Sequence, residues 1–201
     1  MSATFEFLHG DERKPVLMLT PLKDGSEHDF SKTKARIRIL PAISPSLFSP
    51  SKLLPSRCNL HSSPDTPTPA YNTAIQTDTT HLHFLKQLYA TSQTCASFTD
   101  AALLGRIWLR QRGFSSSYGN GGFGNFEWTW FLSYLLREGR PNGRPVLDSR
   151  FSSFQLFRGA LNTLATKSYI NGEYVECMDG ESGVNVFCKM TIQSYNLVPF
   201  V

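Results

Sequence analysis

The chain has 201 residues, 40% hydrophobic and 18% charged, which is enough apolar material for a buried core and too much for wholesale disorder. No apolar stretch is long enough for a membrane span, and "MSATFEFLHGDERK" carries acids and an early polar break where a secretory signal needs a basic start and an apolar middle, so a soluble, non-secreted protein of one large or two small domains is expected. Net charge is +4, but from Lys32 to Arg158 fifteen Lys and Arg stand against six Asp and Glu, an excess that attracts phosphate backbones by counterion release or simply solvates helix faces.

In chain order, "PVLMLTPL" and "KARIRILPAI" are extended runs joined by the turn-rich "KDGSEHDFSKT", which predicts a strand pair. In the second run Ala35, Ile37 and Ile39 alternate with Lys34, Arg36 and Arg38, predicting one buried and one basic face. Ser44 to Pro69 is dense in proline and serine, an irregular connector that sets a domain boundary near residue 62. Beyond it the pattern turns helical. "HLHFLKQLYATS" places Leu82, Leu85, Leu88 and Tyr89 on one face. "SFTDAALLGRIWLRQRGF" opens on Ser97 and Asp100 as a capping box, carries Leu103, Leu104, Ile107, Trp108 and Phe114 as its apolar stripe, and stops at Gly113. "NFEWTWFLSYLLREG" is apolar nearly all round, so it predicts a central helix. "SSFQLFRGALNTLATKS" starts at a Ser pair and carries Phe154, Phe157, Leu161 and Leu164. The end, "EYVECMDGESGVNVFCKMT", alternates and turns at Asp179 to Gly183, a β-hairpin pattern.

Few residues offer catalytic or metal chemistry. Cys58, Cys95, Cys177 and Cys188 form no C-x-x-C, which favours reduced thiols over a zinc or redox site. His81 and His83 lie about 200° apart on a helix, a spacing that works against shared metal ligation. There is no G-x-S-x-G elbow, and no histidine follows His83.

Gly119, Gly121 and Gly124 in "YGNGGFGNFEWTW" match G-x-G-x-x-G, so the flanks decide between a nucleotide loop and a turn. A dinucleotide loop follows a strand, whereas this one follows a long helix and "SSSY". A kinase loop needs a lysine on the next strand, yet none occurs between Lys86 and Lys167. The pattern therefore predicts a turn whose glycines take positive φ and permit close backbone approach, leading into "FEWTWFL". The N-terminus of that helix could still hold an anion.

The blocks "GRIWLRQRGF", "GGFGNFEWTWFLSYLL" and "FSSFQLFRGALNTLA", with "FSKTKARIRILPAISPSLFSPSKLLPSR" upstream and "MDGESGVNVF" downstream, resemble the Nrap family, above all its fungal members. These are nucleolar RNA-associated proteins of the small-subunit processome, similar to tandem copies of a nucleotidyltransferase palm followed by a helical poly(A) polymerase/oligoadenylate synthetase-like domain. The resemblance implies an α+β fold: remnant β-strands of a degenerate palm in residues 1–62, including the proline-rich crossover, then the helical substrate-binding domain in 63–201 with its terminal β-hairpin. It also implies a fragment of a much longer protein.

Nucleotidyl transfer needs carboxylates that grip two metal ions. The palm places two acids, one residue apart, shortly after a Gly-Ser turn, and a third on a later strand. In "DGSEHD" Glu27 and Asp29 follow Gly25 and Ser26 too soon, so a solvated turn is expected. Asp179 and Glu181 sit between Gly180 and Gly183, which again reads as a turn. The counterpart of the third-acid strand is "KARIRIL", whose basic face would repel magnesium and suits phosphate. The expectation is therefore no enzyme, no metal and no cofactor. Expected RNA contacts are Arg36, Arg38, Arg57, Arg106, Arg110 and Arg112; Arg106 and Arg110 share a helix face while Arg112 lies off it. The implied partners are pre-ribosomal or small nucleolar RNA and other processome proteins, with no membrane, in the nucleus and nucleolus, where the family supports pre-rRNA processing. Two alternatives stay open: a protein-interaction module without RNA contact, and half of a nucleotidyltransferase whose catalytic strands lie elsewhere.

Overall fold

A computed structural model of the protein describes residues 1–8, 12, 14–27, 29–33, 35–54, 56–59, 66–117, 120–138 and 143–166. The expected C-terminal hairpin, with Asp179 and Glu181, lies outside the described residues, as do Lys34, Gly119, Cys177 and Cys188. Among the described residues a small antiparallel sheet and four α-helices make an α+β protein. Its contacts divide it into two compact units between Ser44 and Pro45.

The first unit holds β1 (Ser2–Phe7), β2 (Pro15–Thr20) and β3 (Ile37–Ile39), in the order β1-β2-β3. The expected pair is β2 with β3; β1 is an addition that its short alternation, Ala3, Phe5 and Phe7 against Thr4 and Glu6, could have signalled. Directly opposed residues share a face, so Phe5, Leu17 and Ile39 form one row and Ala3, Leu19 and Ile37 the next. That apolar face is open: Phe5 is 79% exposed, Phe7 55%, and Ile37 and Ile39 47% each. The expectation that Ala35, Ile37 and Ile39 form a buried face is thus corrected, because Val16 and Met18 on the opposite face of β2 are the buried ones. Between β2 and β3 the described residues of "DGSEHD" form a turn. Gly25 takes φ +67°, Asp24 accepts from Ser26, and Asp29 accepts from the Gly25 and Ser31 amides.

The second unit holds α1 (Pro69–Thr94), α2 (Phe98–Gln111), α3 (Asn125–Arg137) and α4 (Ser153–Ala165). The unit starts at Pro45 and so includes the proline-rich connector. The physical reason is Asn72 in the first turn of α1, fully buried, whose Nδ2 donates to the carbonyls of Leu54 (2.8 Å) and Arg57 (2.9 Å). Its Oδ1 accepts from Asn59 Nδ2 (2.7 Å) and Thr68 Oγ1 (3.1 Å). One amide side chain thereby ties the irregular connector to the helix.

α3 is central, as its composition predicts: Trp128, Phe131 and Leu132 have no exposed surface. It dictates which faces its neighbours bury. From α1 it takes Phe84, tilted against Trp130 with ring centroids 3.9 Å apart, and Thr91, whose hydroxyl pairs with that of Ser133 at 2.6 Å. Leu82, Leu85 and Tyr89, expected to be a packing face, are therefore exposed. From α2 it takes Phe98, Ala101, Gly105 and Leu109, because the indole of Trp128 fills the space a larger side chain would need at Gly105. Leu103 and Ile107, two members of the predicted stripe, consequently face solvent at 51% and 48% exposure. α4 buries Leu156, Ala160 and Leu164 and leaves Phe154 out.

Helix ends follow chemistry that the sequence reading captured only in part. At α4, Ser152 and Gln155 form a reciprocal capping box. At α2, Ser97 is the N-cap but in helical conformation, with no side-chain cap bond, so the expected box with Asp100 is absent. Gly113 ends α2 with φ +76°, as expected of a residue just past a C-cap.

Candidate nucleic-acid interface

α2 carries three of the six expected arginines. Arg106 and Arg110, one helical turn apart, are exposed on the flank of α2 between the buried row of Gly105 and Leu109 and the outward Leu103 and Ile107. No side-chain partner engages either guanidinium among the described residues. Leu103 and Ile107 run beside them, so the outward face of α2 pairs an apolar stripe with a basic one. Arg112, the C-cap, is exposed and lies off this face; its guanidinium carbon sits 4.8 Å from the centroid of Trp108.

The other three lie elsewhere. Arg38 in β3 is exposed on the face of Thr4 and Met18, and Arg36, two residues earlier, is exposed just before the strand. Arg57 is exposed in the connector, where its carbonyl accepts from Asn72 Nδ2 and from the Thr68 amide. The fold thus brings Arg106 and Arg110 together, keeps Arg112 on the same helix, fixes the backbone of Arg57, and leaves Arg36 and Arg38 in the sheet unit.

The glycine loop has the geometry of a closed turn. Gly121 (φ +93°) and Gly122 (φ +66°) take left-handed conformations, and a Cβ on Gly124 would overlap the Ser116 backbone nitrogen. At the N-terminus of α3 the anion is supplied by the chain itself. Glu127 is 3% exposed, and its Oε2 accepts from the Gly124 amide at 2.9 Å and from Ser116 Oγ at 2.5 Å. A carboxylate so placed satisfies an orphan helix donor and complements the helix dipole, so a phosphate would meet negative charge there. The residue-by-residue sequence reading missed this role; its signal was the Gly-x-x-Glu spacing at the helix start.

Among the described residues no three His, Cys, Asp or Glu side chains converge. His81 lies 3.6 Å from Asp78, and His83 bonds Gln87 at 2.6 Å, so the two rings serve different neighbours. Cys95 is a buried thiol whose pKa burial pushes up.

A helical unit of this kind, preceded by a small sheet and a clamped connector, matches the model described as the Nrap protein PAP/OAS-like domain over residues 97–178. Residues 1–94 match Nrap protein domain 1, so the junction between the two falls at the break between α1 and α2. The chain belongs to the Nrap family. It is 32% identical to U3 small nucleolar RNA-associated protein 22 of Saccharomyces cerevisiae over 96% of its own length and 19% of that protein. It is 29% identical to the protein of the same name in Schizosaccharomyces pombe, over 92% of this chain and 18% of that one. Nucleolar protein 6 of Mus musculus is 31% identical over 85% of this chain and 14% of its own length. The chain therefore spans about a fifth or less of these relatives.

Proposed function

We propose that this chain is part of a non-catalytic, RNA-associated scaffold of the small-subunit processome, acting in pre-rRNA processing and ribosome biogenesis in the nucleolus. The names of its relatives, associated with U3 small nucleolar RNA and with the nucleolus, support that setting. In this reading residues 1–62 are the end of a degenerate nucleotidyltransferase palm and 63–201 the helical domain. Arg36 and Arg38 stand where a polymerase palm would need a carboxylate, which favours holding a polyanion over gripping magnesium.

The observation that carries the reading is the outward pair Arg106 and Arg110, exposed and without side-chain partners among the described residues. Such cations act on phosphates through counterion release, so binding to RNA should weaken steeply with salt. Anisotropy of a labelled RNA between low and physiological salt tests it. Arg106→Glu with Arg110→Glu should lower the slope of log affinity against log salt by about two. Salt-insensitive binding, or a slope the variant leaves unchanged, overturns it.

A second reading, docking onto another protein without RNA contact, is favoured by the open sheet face of Phe5, Phe7, Ile37 and Ile39. Salt-insensitive binding to a processome subunit, lost in Phe5→Lys, would select it.

A further inference from the structure

Two short stretches of the chain share one pattern, a hydroxyl residue followed by proline with a lysine three places on: Thr20-Pro21-Leu22-Lys23 and Ser49-Pro50-Ser51-Lys52. The other Ser-Pro and Thr-Pro pairs have no cation at that distance. The fold separates the two matches. Thr20 is half-buried at the end of β2, opposite Ser2 across the sheet, and its hydroxyl lies 3.5 Å from the Ser2 carbonyl. Ser49 lies in the irregular connector and is exposed together with Ser51 and Lys52. Its hydroxyl is 2.8 Å from that of Ser51, and its carbonyl accepts from the Lys52 amide at 2.9 Å, closing a single 3-10 turn, Pro50–Lys52. The clamp built on Asn72 reaches back to Lys52, whose carbonyl accepts from Asn59 Nδ2 at 2.8 Å, so Ser49 precedes the clamped part of the connector.

We propose that Ser49 is a phosphorylation site for a proline-directed protein kinase that also reads a cation three residues beyond its target. A kinase cleft takes its substrate as a locally extended strand, and one exposed 3-10 turn opens at little cost. Presenting Thr20 would mean stripping β2 from its neighbour. Proline at the next position suits a pocket with no acceptor for a backbone amide, because it has no N–H to leave unpaired. Lys52 supplies the charge for an acidic subsite on the kinase. In the reaction the Ser49 oxygen bonds to the γ-phosphorus of ATP and the bond from that phosphorus to the bridging oxygen breaks. ADP leaves with the electron pair, and the hydroxyl proton passes to the kinase's base.

The phosphate brings about two negative charges at neutral pH, against a formal net charge of +4 for the chain. Phosphorylation of Ser49 therefore lowers affinity for a polyanion. That consequence rests on the RNA-contact reading, whereas the site itself does not.

The test incubates the full chain with ATP, magnesium and a purified cyclin-dependent kinase and maps phosphate by mass spectrometry. Ser49 should carry it, Ser49→Ala should abolish that labelling, and Lys52→Ala should slow it about tenfold. Anisotropy of a labelled RNA then compares the phosphorylated with the unmodified chain. The phosphorylated form should bind roughly three- to tenfold more weakly at low salt, and the difference should shrink at physiological salt.

No phosphate at Ser49, or preferential labelling of Thr20, overturns the site. An unchanged rate for Lys52→Ala overturns the part given to that lysine. A phosphorylated chain that binds RNA as tightly as the unmodified one overturns the charge effect. An unmodified chain that binds no RNA at low salt overturns the RNA-contact reading, while phosphate mapped to Ser49 still upholds the site.

Discussion

Glu127 closes the glycine loop onto Ser116: its carboxylate accepts from the Ser116 hydroxyl at 2.5 Å while holding the Gly124 amide at 2.9 Å. Two segments eleven residues apart are thus joined by one buried acid. A motif with the look of a phosphate cradle is filled from within.

Glu127→Ala leaves both donors unsatisfied inside the unit and should destabilise it by about 2–4 kcal/mol, since hydrogen bonds to charged groups contribute more than neutral ones. Urea unfolding measures the loss, and Glu127→Gln should recover part of it. A stability within about 0.5 kcal/mol of the parent would contradict the role assigned to this carboxylate.

Gly105 is the point of closest approach between α2 and α3. An added methyl would overlap Cε2 and Nε1 of Trp128, a rigid ring with no exposed surface. Gly105→Ala gains helix propensity of roughly 1 kcal/mol, yet overpacking here should cost about 3 kcal/mol or more. The net effect is a lower melting temperature and altered near-ultraviolet circular dichroism from displaced indoles.

Asn72 makes four hydrogen bonds across the connector. Asn72→Leu removes all four bonds, leaving the Leu54 carbonyl to the Arg57 amide and the Arg57 carbonyl to Thr68, and should cost about 2–3 kcal/mol. Limited proteolysis should then cut first within residues 52–59. Unchanged cleavage would show that the connector is held by something else.

Asp148 accepts from Arg150 through its amide (2.9 Å), Nε (3.0 Å) and Nη2 (2.6 Å). These bonds lower its pKa to about 2. Because the folded value lies below the ordinary carboxylate range, the pair's contribution is complete above that range and is lost as pH falls through about 2. Carboxyl titration by NMR should show this midpoint, and Arg150→Ala should return it toward about 4.

Local sequence pattern was a good guide to the existence and kind of elements. The all-round apolar composition of "FEWTWFLSYLL", the Ser pair ahead of α4 and the Gly113 stop correspond to features of α3, α4 and the end of α2. So does the pairing of "PVLMLT" with "IRI". Periodicity was a poor guide to the buried face of α1 and α2. It favoured Leu82, Leu85, Leu103 and Ile107, while the helices turned in Thr91, Ala101 and Gly105. The arginines could be named from composition and resemblance, but the meeting of Trp108 with Phe157 spans two helices and has no signature in the linear order.

What the residues settle alone is which segments coil, extend or turn, because capping, periodicity and left-handed glycines act within a few neighbours along the chain. Which side of each segment meets another was decided only on assembly. The bulk of Trp128 demanded a glycine opposite it and Ser133 demanded a hydroxyl, so volume and hydrogen-bond complementarity between helices overrode their own apolar stripes.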